Sequence, residues 1–186
     1  MAKFNEGGFL ETGGDYRDLI FYKKTKILYD MTYWFKERYL SRGDRTQDQM
    51  EQAARSGTQN IAEGRTDGLT STEMELRLVN VARASLIELR EDYEDYLRSH
   101  ELTMWDKQHP RYEKMVRYCY DHHEPEQYRS FFEQWSPEEF CNVALTLIHQ
   151  ADRGMCKWLQ MKEKAFLEEG GLKEKMSATR RKARGY

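Results

Sequence analysis

A cysteine and two histidines lie close together in the second half of the chain, and these residue types can do chemistry. Cys119 and His123 are four residues apart, so on a helix both would face the same side and could bind one metal ion. His122 lies beside them, but a fourth ligand is missing unless His100 or His109 folds back. We favour the alternative, a buried thiol with surface histidines, and predict no metal site.

The same cysteine could act as a nucleophile if a histidine activated it. A thiol enzyme also needs an acid that orients the histidine and a glycine-rich turn that binds an oxyanion, and neither pattern accompanies Cys119. Glu63 and Glu88 form a second candidate pair, because glutamates on two helices hold iron ions in some proteins. Those sites also need a Glu-x-x-His motif, and no histidine precedes residue 100. We therefore expect a protein without catalytic residues or a cofactor.

Four long segments of the sequence have the periodicity of α-helices. Apolar residues recur at intervals of three and four over residues 17–39, 46–63, 71–98 and 136–168. Short turns separate the first three segments, which makes them antiparallel neighbours. The sequence therefore predicts an all-α fold, an antiparallel up-down four-helix bundle.

A small helical insert is predicted between the third and fourth helices, over residues 99–135. Pro110 and Pro125 each open a short helix, because proline is well tolerated at the first helical position. The aromatic residues of the insert either anchor it on the core or form an exposed surface for a partner. They include Tyr112, Tyr128, Phe131, Phe132 and Trp135.

The two ends of the chain lack this regular pattern. Residues 1–15 contain two Gly-Gly pairs and are predicted to be a flexible arm, although Phe4, Phe9 and Leu10 could dock on a neighbour. Residues 16–98 would carry the first three helices and residues 136–169 the fourth. Residues 170–186 form a basic C-terminal tail.

Small residues and a glycine mark the end of the second predicted helix. Ala53, Ala54 and Gly57 would allow another helix backbone to come close. Gly64 is expected to adopt the left-handed conformation that ends a helix. Thr70 and Glu73 have the spacing of a capping box, which would start the third helix.

Three segments resemble a bacterial four-helix-bundle family associated with intervening sequences of large-subunit ribosomal RNA genes. They are Tyr16-Arg17-Asp18-Leu19, Asn60-Ile61-Ala62-Glu63-Gly64 and Ser85-Leu86-Ile87-Glu88-Leu89, and the resemblance covers roughly Tyr16 to Leu97. The insert departs from the family, in which a short loop usually joins the third and fourth helices. We expect structural roles for the polar and glycine members of this signature, which are Asn60, Glu63, Gly64, Ser85 and Glu88.

The resemblance also implies an assembly. Relatives of the family include the accessory protein of diversity-generating retroelements, which looks like a ring of five bundles that engages nucleic acid. This implies a homo-oligomer, with a pentamer as the expected size, and no enzymatic activity. Tyr22, Tyr29 and Tyr33 independently widen the apolar stripe of the first helix, so either several helices or an oligomer must surround it.

The net charge of −2 argues against a globally basic nucleic-acid binder but allows a local basic patch. The first helix and the tail are the basic parts of the chain, and each is either solvated surface or a contact for the phosphates of RNA or DNA. We interpret both as nucleic-acid-binding, with a protein–protein scaffold that uses the aromatic insert as the alternative. The residues concerned are Lys23, Lys24, Lys26, Arg180, Arg181, Lys182 and Arg184.

The remaining features concern location. No run approaches the roughly 18 apolar residues of a membrane-spanning helix, so no membrane is expected as a partner. No signal peptide is visible. Cys119, Cys141 and Cys156 have no paired spacing, which suits a reducing compartment. The sequence therefore predicts a cytoplasmic protein.

Overall fold

A computed structural model describes residues 15–67 and 72–169, together with residues 177, 180, 181 and 184. Within these ranges the chain is all-α: one 3-10 helix and six α-helices are present, and no strand. None of the described helices is long and apolar enough to cross a membrane. The helices are α1 (Ile20–Tyr39), α2 (Arg45–Asp67), α3 (Thr72–Ser99), α4 (Tyr112–Asp121), α5 (Glu126–Arg129) and α6 (Pro137–Glu169).

The first helix begins later than the sequence predicted. Tyr16–Asp18 forms a separate 3-10 turn, in which the Asp15 side chain accepts a hydrogen bond of 3.0 Å from the Arg17 N–H. Leu19 is extended, with φ −68° and ψ 121°, and α1 starts at Ile20. A capped turn has therefore replaced the predicted first turn of the helix.

The contacts between α1, α2 and α3 show that successive helices run in opposite directions. Thr58 of α2 donates to the carbonyl of Thr25 near the start of α1 at 3.2 Å, whereas Lys36 near the end of α1 meets Glu51 near the start of α2. The same reversal relates α2 to α3, where Gly57 faces Leu86 and Gly64 faces Leu78. The turn between α1 and α2 contains Gly43, at a φ of +85°.

Helix α6 is antiparallel to both α1 and α3. Gly154 packs against Phe21 at the start of α1, and Phe140 contacts Phe35 near its end, with ring centroids 5.6 Å apart. On the other side, Arg83 of α3 bonds Asp152 at 2.8 Å. Helices α1 and α3 meet across the core, whose apolar centre is formed by Ile27, Leu28, Met31, Phe35, Leu86, Leu89, Tyr93, Phe140, Ala144 and Leu147.

Gly64 does not end α2, so the prediction of a left-handed C-terminal residue is wrong. The helix continues to Asp67, and Gly64 is buried inside it. A Cβ at this position would lie 3.1 Å from the Leu78 Cβ and 3.3 Å from the Glu75 carbonyl oxygen. The glycine is therefore needed for close helix packing and not for a backbone turn. Thr70 of the predicted capping box lies outside the described residues.

The insert packs against α1 and α6. Helix α5 is only one turn long, so Phe131, Phe132 and Trp135 follow it in a series of turns, and not on a helix as predicted. Tyr128 and Phe132 are nonetheless buried. The Trp34 ring of α1 lies between the insert and α6: its centroid is 5.8 Å from that of Phe132 and 5.4 Å from that of Phe140.

Candidate functional site

The three predicted phosphate-binding lysines of α1 lie in very different environments. Lys23 is half-buried and bonds Glu124 of the insert at 2.6 Å. Lys24 is buried, and its ammonium donates to the carbonyl oxygen of Cys119 at 2.5 Å. Lys26 is exposed, with its ammonium 5.8 Å from the centre of the Tyr29 ring. Burial of the Lys24 ammonium argues against its contact with a phosphate, and Lys26 is the one best placed for it.

The tail provides the other predicted cations. Arg180, Arg181 and Arg184 are exposed, and the Arg184 N–H donates to the Arg180 carbonyl at 3.1 Å. Lys182 lies outside the described residues. Many other cations of the described chain are already paired with carboxylates, and such pairs lower the charge available to a polyanion. They include Lys36, Arg83, Arg90, Arg98, Arg111, Arg117, Arg129 and Lys164.

The signature residues lie at the contact between α2 and α3. Asn60 donates to the carbonyl and to the hydroxyl of Ser56, each at 2.9 Å. The Ser56 hydroxyl also accepts from the hydroxyl of Ser85, at 3.0 Å, and Ser85 is buried. This chain of hydrogen bonds joins the two helices beside the close approach of Gly57 to Leu86. The contacts favour a structural role for Asn60 and Ser85.

Glu63 and Glu88 behave differently, because both carboxylates are exposed. Glu88 borders a groove of about 730 Å³ between α2 and α3, with Ala53, Ser56 and Ser85 among its lining residues. We call this the acidic groove, because its wall also carries four further carboxylates, those of Asp48, Glu91, Asp92 and Asp95. Burial, and then the charges of Asp95, Glu88 and Glu91, raise the pKa of Asp92 to about 6. The groove therefore repels anions.

Cys119 is not prepared to act as a nucleophile. Burial raises the pKa of its thiol to about 12, so almost no thiolate exists at neutral pH. The Nδ1 atom of His122 bonds the carbonyl of Tyr118 at 2.9 Å. Burial, followed by the nearby Lys24 charge, lowers the pKa of His123. In the part of the chain that the structure describes, no group of three or more His, Cys, Asp or Glu side chains could hold a metal ion.

Sequence reasoning missed a buried ionic cluster where α2, α3 and α6 meet. The carboxylate of Glu75 is buried and pairs with Arg65 of α2 and, at 3.2 Å, with Lys162 of α6. Both cations also lie over the Trp158 ring. A buried carboxylate needs such partners to offset its lost hydration. Local patterns did not reveal the cluster, because Lys162 lies 87 residues after Glu75, and Arg65 and Glu75, although only 10 residues apart, belong to different helices.

Comparison of the chain with models of protein families, with curated proteins and with solved structures found no match. The resemblance of the three segments to a known family therefore stays a prediction.

Proposed function

We propose that α1, α2, α3 and α6 form an up-down four-helix bundle, with residues 99–135 as an insert on one side. The antiparallel contacts of α1 with α2, of α2 with α3, and of α6 with both α1 and α3 support this arrangement. A diagonal contact also supports it, since the hydroxyls of Thr32 and Tyr93 are 2.9 Å apart. Short connections favour this topology in helical proteins.

We propose that the protein is a non-catalytic, homo-oligomeric accessory protein that binds RNA or DNA through its C-terminal tail. The observation that carries this proposal is the exposure of Arg180, Arg181 and Arg184, which lie within five residues of one another in a tail whose sequence has one acidic residue. Lys26 of α1 is a further exposed cation. Flexible or solvated cations gain binding energy by releasing the counterions of phosphates.

Exposed apolar side chains on two adjacent helices support the homo-oligomer. Helix α3 exposes Met74, Val81 and Ile87, and α6 exposes Met161 and Leu167. Large apolar side chains on a surface favour burial against another molecule. The expected size, a pentamer, comes from the family resemblance, and the mass of the protein in solution tests it. A monomer at micromolar concentration would contradict the oligomer.

The nucleic-acid proposal is tested by fluorescence anisotropy across a salt series. Replacing Arg180, Arg181, Lys182 and Arg184 by glutamine should weaken binding at least tenfold and reduce the salt slope by about three, since each phosphate contact contributes about 0.7–0.9. The matched control replaces four exposed cations of the helices and the insert, which are Arg55, Arg77, Lys107 and Lys114. Equal losses in both variants would mean that only net charge matters and would contradict a role for the tail.

We propose a protein–protein scaffold as the second candidate function. The observation that favours it is the outer face of the insert, where Tyr120 is 71% exposed and Met104 is 56% exposed. The aromatic residues Tyr128 and Phe132 are buried and support the insert from inside. A photo-crosslinking amino acid in place of Tyr120 should capture a protein partner. The same amino acid in place of Met161 should not capture that partner. Equal capture at both positions would contradict a partner on the insert.

We further propose that the protein resides in a reducing compartment, the cytoplasm. All three cysteines are free, and Cys119 and Cys141 are buried. Free buried thiols persist where disulfides are not formed.

A further inference from the structure

A groove between α1 and the insert is lined by four aromatic and four polar or charged side chains. Its volume is about 550 Å³, and it is lined by Tyr29, Tyr33, Trp34 and Phe132, with the ion pair of Asp30 and Arg129 at its side. Tyr33 is 50% exposed, although it lies between buried residues of the same helix. We call this the aromatic groove. A covering apolar segment would remove the exposed part of these aromatic rings from water.

The aromatic groove continues a row of tyrosines along α1. Tyr22, Tyr29 and Tyr33 are seven and four residues apart, so they lie on one face of the helix. Tyr16, in the 3-10 turn that precedes α1, packs edge-on against Tyr22, with ring centroids 4.9 Å apart. The turn thus places the Tyr16 ring on the face of α1 that leads to the groove.

We propose that the segment preceding Asp15 follows this row of tyrosines and places Phe9 and Leu10 in the aromatic groove of the same molecule. The length of chain allows it. Tyr22 and Tyr33 are eleven residues apart, about 17 Å along a helix. The six or seven residues from Tyr16 back to Leu10 and Phe9 span about 20 Å when extended.

The composition of the arm also fits the groove. Phe9 and Leu10 are adjacent apolar residues, and glycine pairs at positions 7–8 and 13–14 flank them, so the backbone can turn into and out of the groove. The sequence of the arm therefore provides an apolar pair that suits the aromatic side chains of the groove.

Site-resolved hydroxyl-radical footprinting of the full chain tests the proposal. Replacing Phe9 and Leu10 by serine should raise the modification rate of Tyr33 at least threefold. The rate of Tyr120 should stay constant, because this side chain is already 71% exposed and does not line the groove. The matched control is Phe4→Ser, which changes an aromatic residue of the same arm and should leave the Tyr33 rate unchanged.

Concentration separates the arm of the same molecule from the arm of a second copy. Protection of Tyr33 in the unmodified chain should not change when the protein concentration is raised one hundredfold, starting from the lowest concentration that footprinting allows. Protection that appears only at high concentration would assign the groove to a second copy and overturn the proposal. A Tyr33 rate that does not respond to the Phe9 and Leu10 replacements would overturn it as well. Both measurements are made without nucleic acid, so their results are independent of the proposed nucleic-acid binding.

Discussion

Lys24 lies inside the protein, and its ammonium group donates to a backbone carbonyl near the C-terminal end of α4. In a longer helix the carbonyl of Cys119 would accept from the N–H of His123, but that N–H donates to the Gln127 side chain at 2.9 Å. The Lys24 ammonium donates to the carbonyl in its place. A cation at this end of a helix also interacts favourably with the helix dipole. A lysine that looks like surface charge in the sequence therefore joins the insert to α1.

The first prediction concerns the pH dependence that Lys24 gives to stability. Burial lowers the pKa of its ammonium to about 8 in the folded protein, from an ordinary value of 10.5. Between these values the unfolded chain binds more protons, so the free energy of unfolding should rise with pH. The free energy of unfolding, measured in urea, should rise between pH 7.5 and pH 9.5. The rise should be about 1 kcal/mol larger for the wild type than for Lys24→Met. Identical pH dependence of the two proteins would contradict a buried ammonium.

A second prediction concerns Asp92 in the acidic groove. Its pKa is raised to about 6, so the folded protein holds this proton more tightly than the unfolded chain. The free energy of unfolding should therefore fall as pH rises from about 4 to 6. Above that range, Asp92 should keep it at the lower value. Asp92→Asn should be more stable than the wild type by about 1 kcal/mol at pH 7, since solvent screens part of the repulsion, and equally stable below pH 4. Thermal unfolding measures both differences, with Glu113→Gln as an exposed control, and a destabilised Asp92→Asn at pH 7 would refute the expectation.

At the scale of elements, the contact between α2 and α3 depends on two glycines with different surroundings. A Cβ on Gly57 would lie 2.9 Å from the Leu86 Cδ2, which is the end of a flexible side chain. A Cβ on Gly64 would instead meet the Leu78 Cβ and the Glu75 carbonyl, which move only if the α3 backbone moves. Alanine has a higher helix propensity than glycine by about 1 kcal/mol, so the two effects oppose each other.

The third prediction follows from this difference. Gly64→Ala should lower the free energy of unfolding by about 1–2 kcal/mol, because the packed backbone of α3 must shift. Gly57→Ala should cost less, because the added Cβ would first meet the end of the Leu86 side chain and not the α3 backbone. Chemical denaturation of both variants, with the exposed Gln59→Ala of α2 as a control, measures the order. A greater loss of unfolding free energy for Gly57→Ala than for Gly64→Ala would contradict the close approach of α2 and α3 at Gly64.

The periodic pattern of apolar residues was enough to predict α1, α2, α3 and α6, because their stripes extend over many turns. It failed at Gly64, where tertiary packing overrides the local tendency of glycine to end a helix. It also failed at Lys24, because the residue that accepts its hydrogen bond lies 95 positions later in the chain. Local spacing carries no information about such partners, and the pairing of Glu75 with Lys162, 87 residues later, was missed for the same reason.

At the scale of the whole molecule, acidic and basic charges are separated along the helices. Lys162, near the end of α6, meets Glu75 near the start of α3. The carboxylates of Glu88, Glu91 and Asp95 lie 13 to 20 residues further along α3, about 20–30 Å away. The basic tail follows the end of α6. A polyanion should therefore approach the tail and avoid the acidic groove.

The fourth prediction rests on the proposed binding of nucleic acid. Photo-crosslinking to bound RNA or DNA, followed by peptide mass spectrometry, should identify peptides from residues 170–186 and none from residues 85–95. Replacing Glu88 and Glu91 by lysine should strengthen binding at low salt and steepen the salt slope, since two repulsive charges become attractive. Crosslinks to residues 85–95 of the unmodified chain would contradict the expected orientation.

The contacts between α1 and the insert also bear on how the chain is synthesised. Lys24, Lys23 and Asp30 have partners that lie 95, 101 and 99 residues later in the sequence. A ribosome adding 5–20 residues per second needs about 5–20 s to produce that length. During this interval Trp34 and the tyrosines of α1 that will line the aromatic groove have no insert to pack against. The nascent chain therefore exposes an apolar helix face for seconds, which is the condition under which chaperones bind and neighbouring chains on one messenger RNA associate.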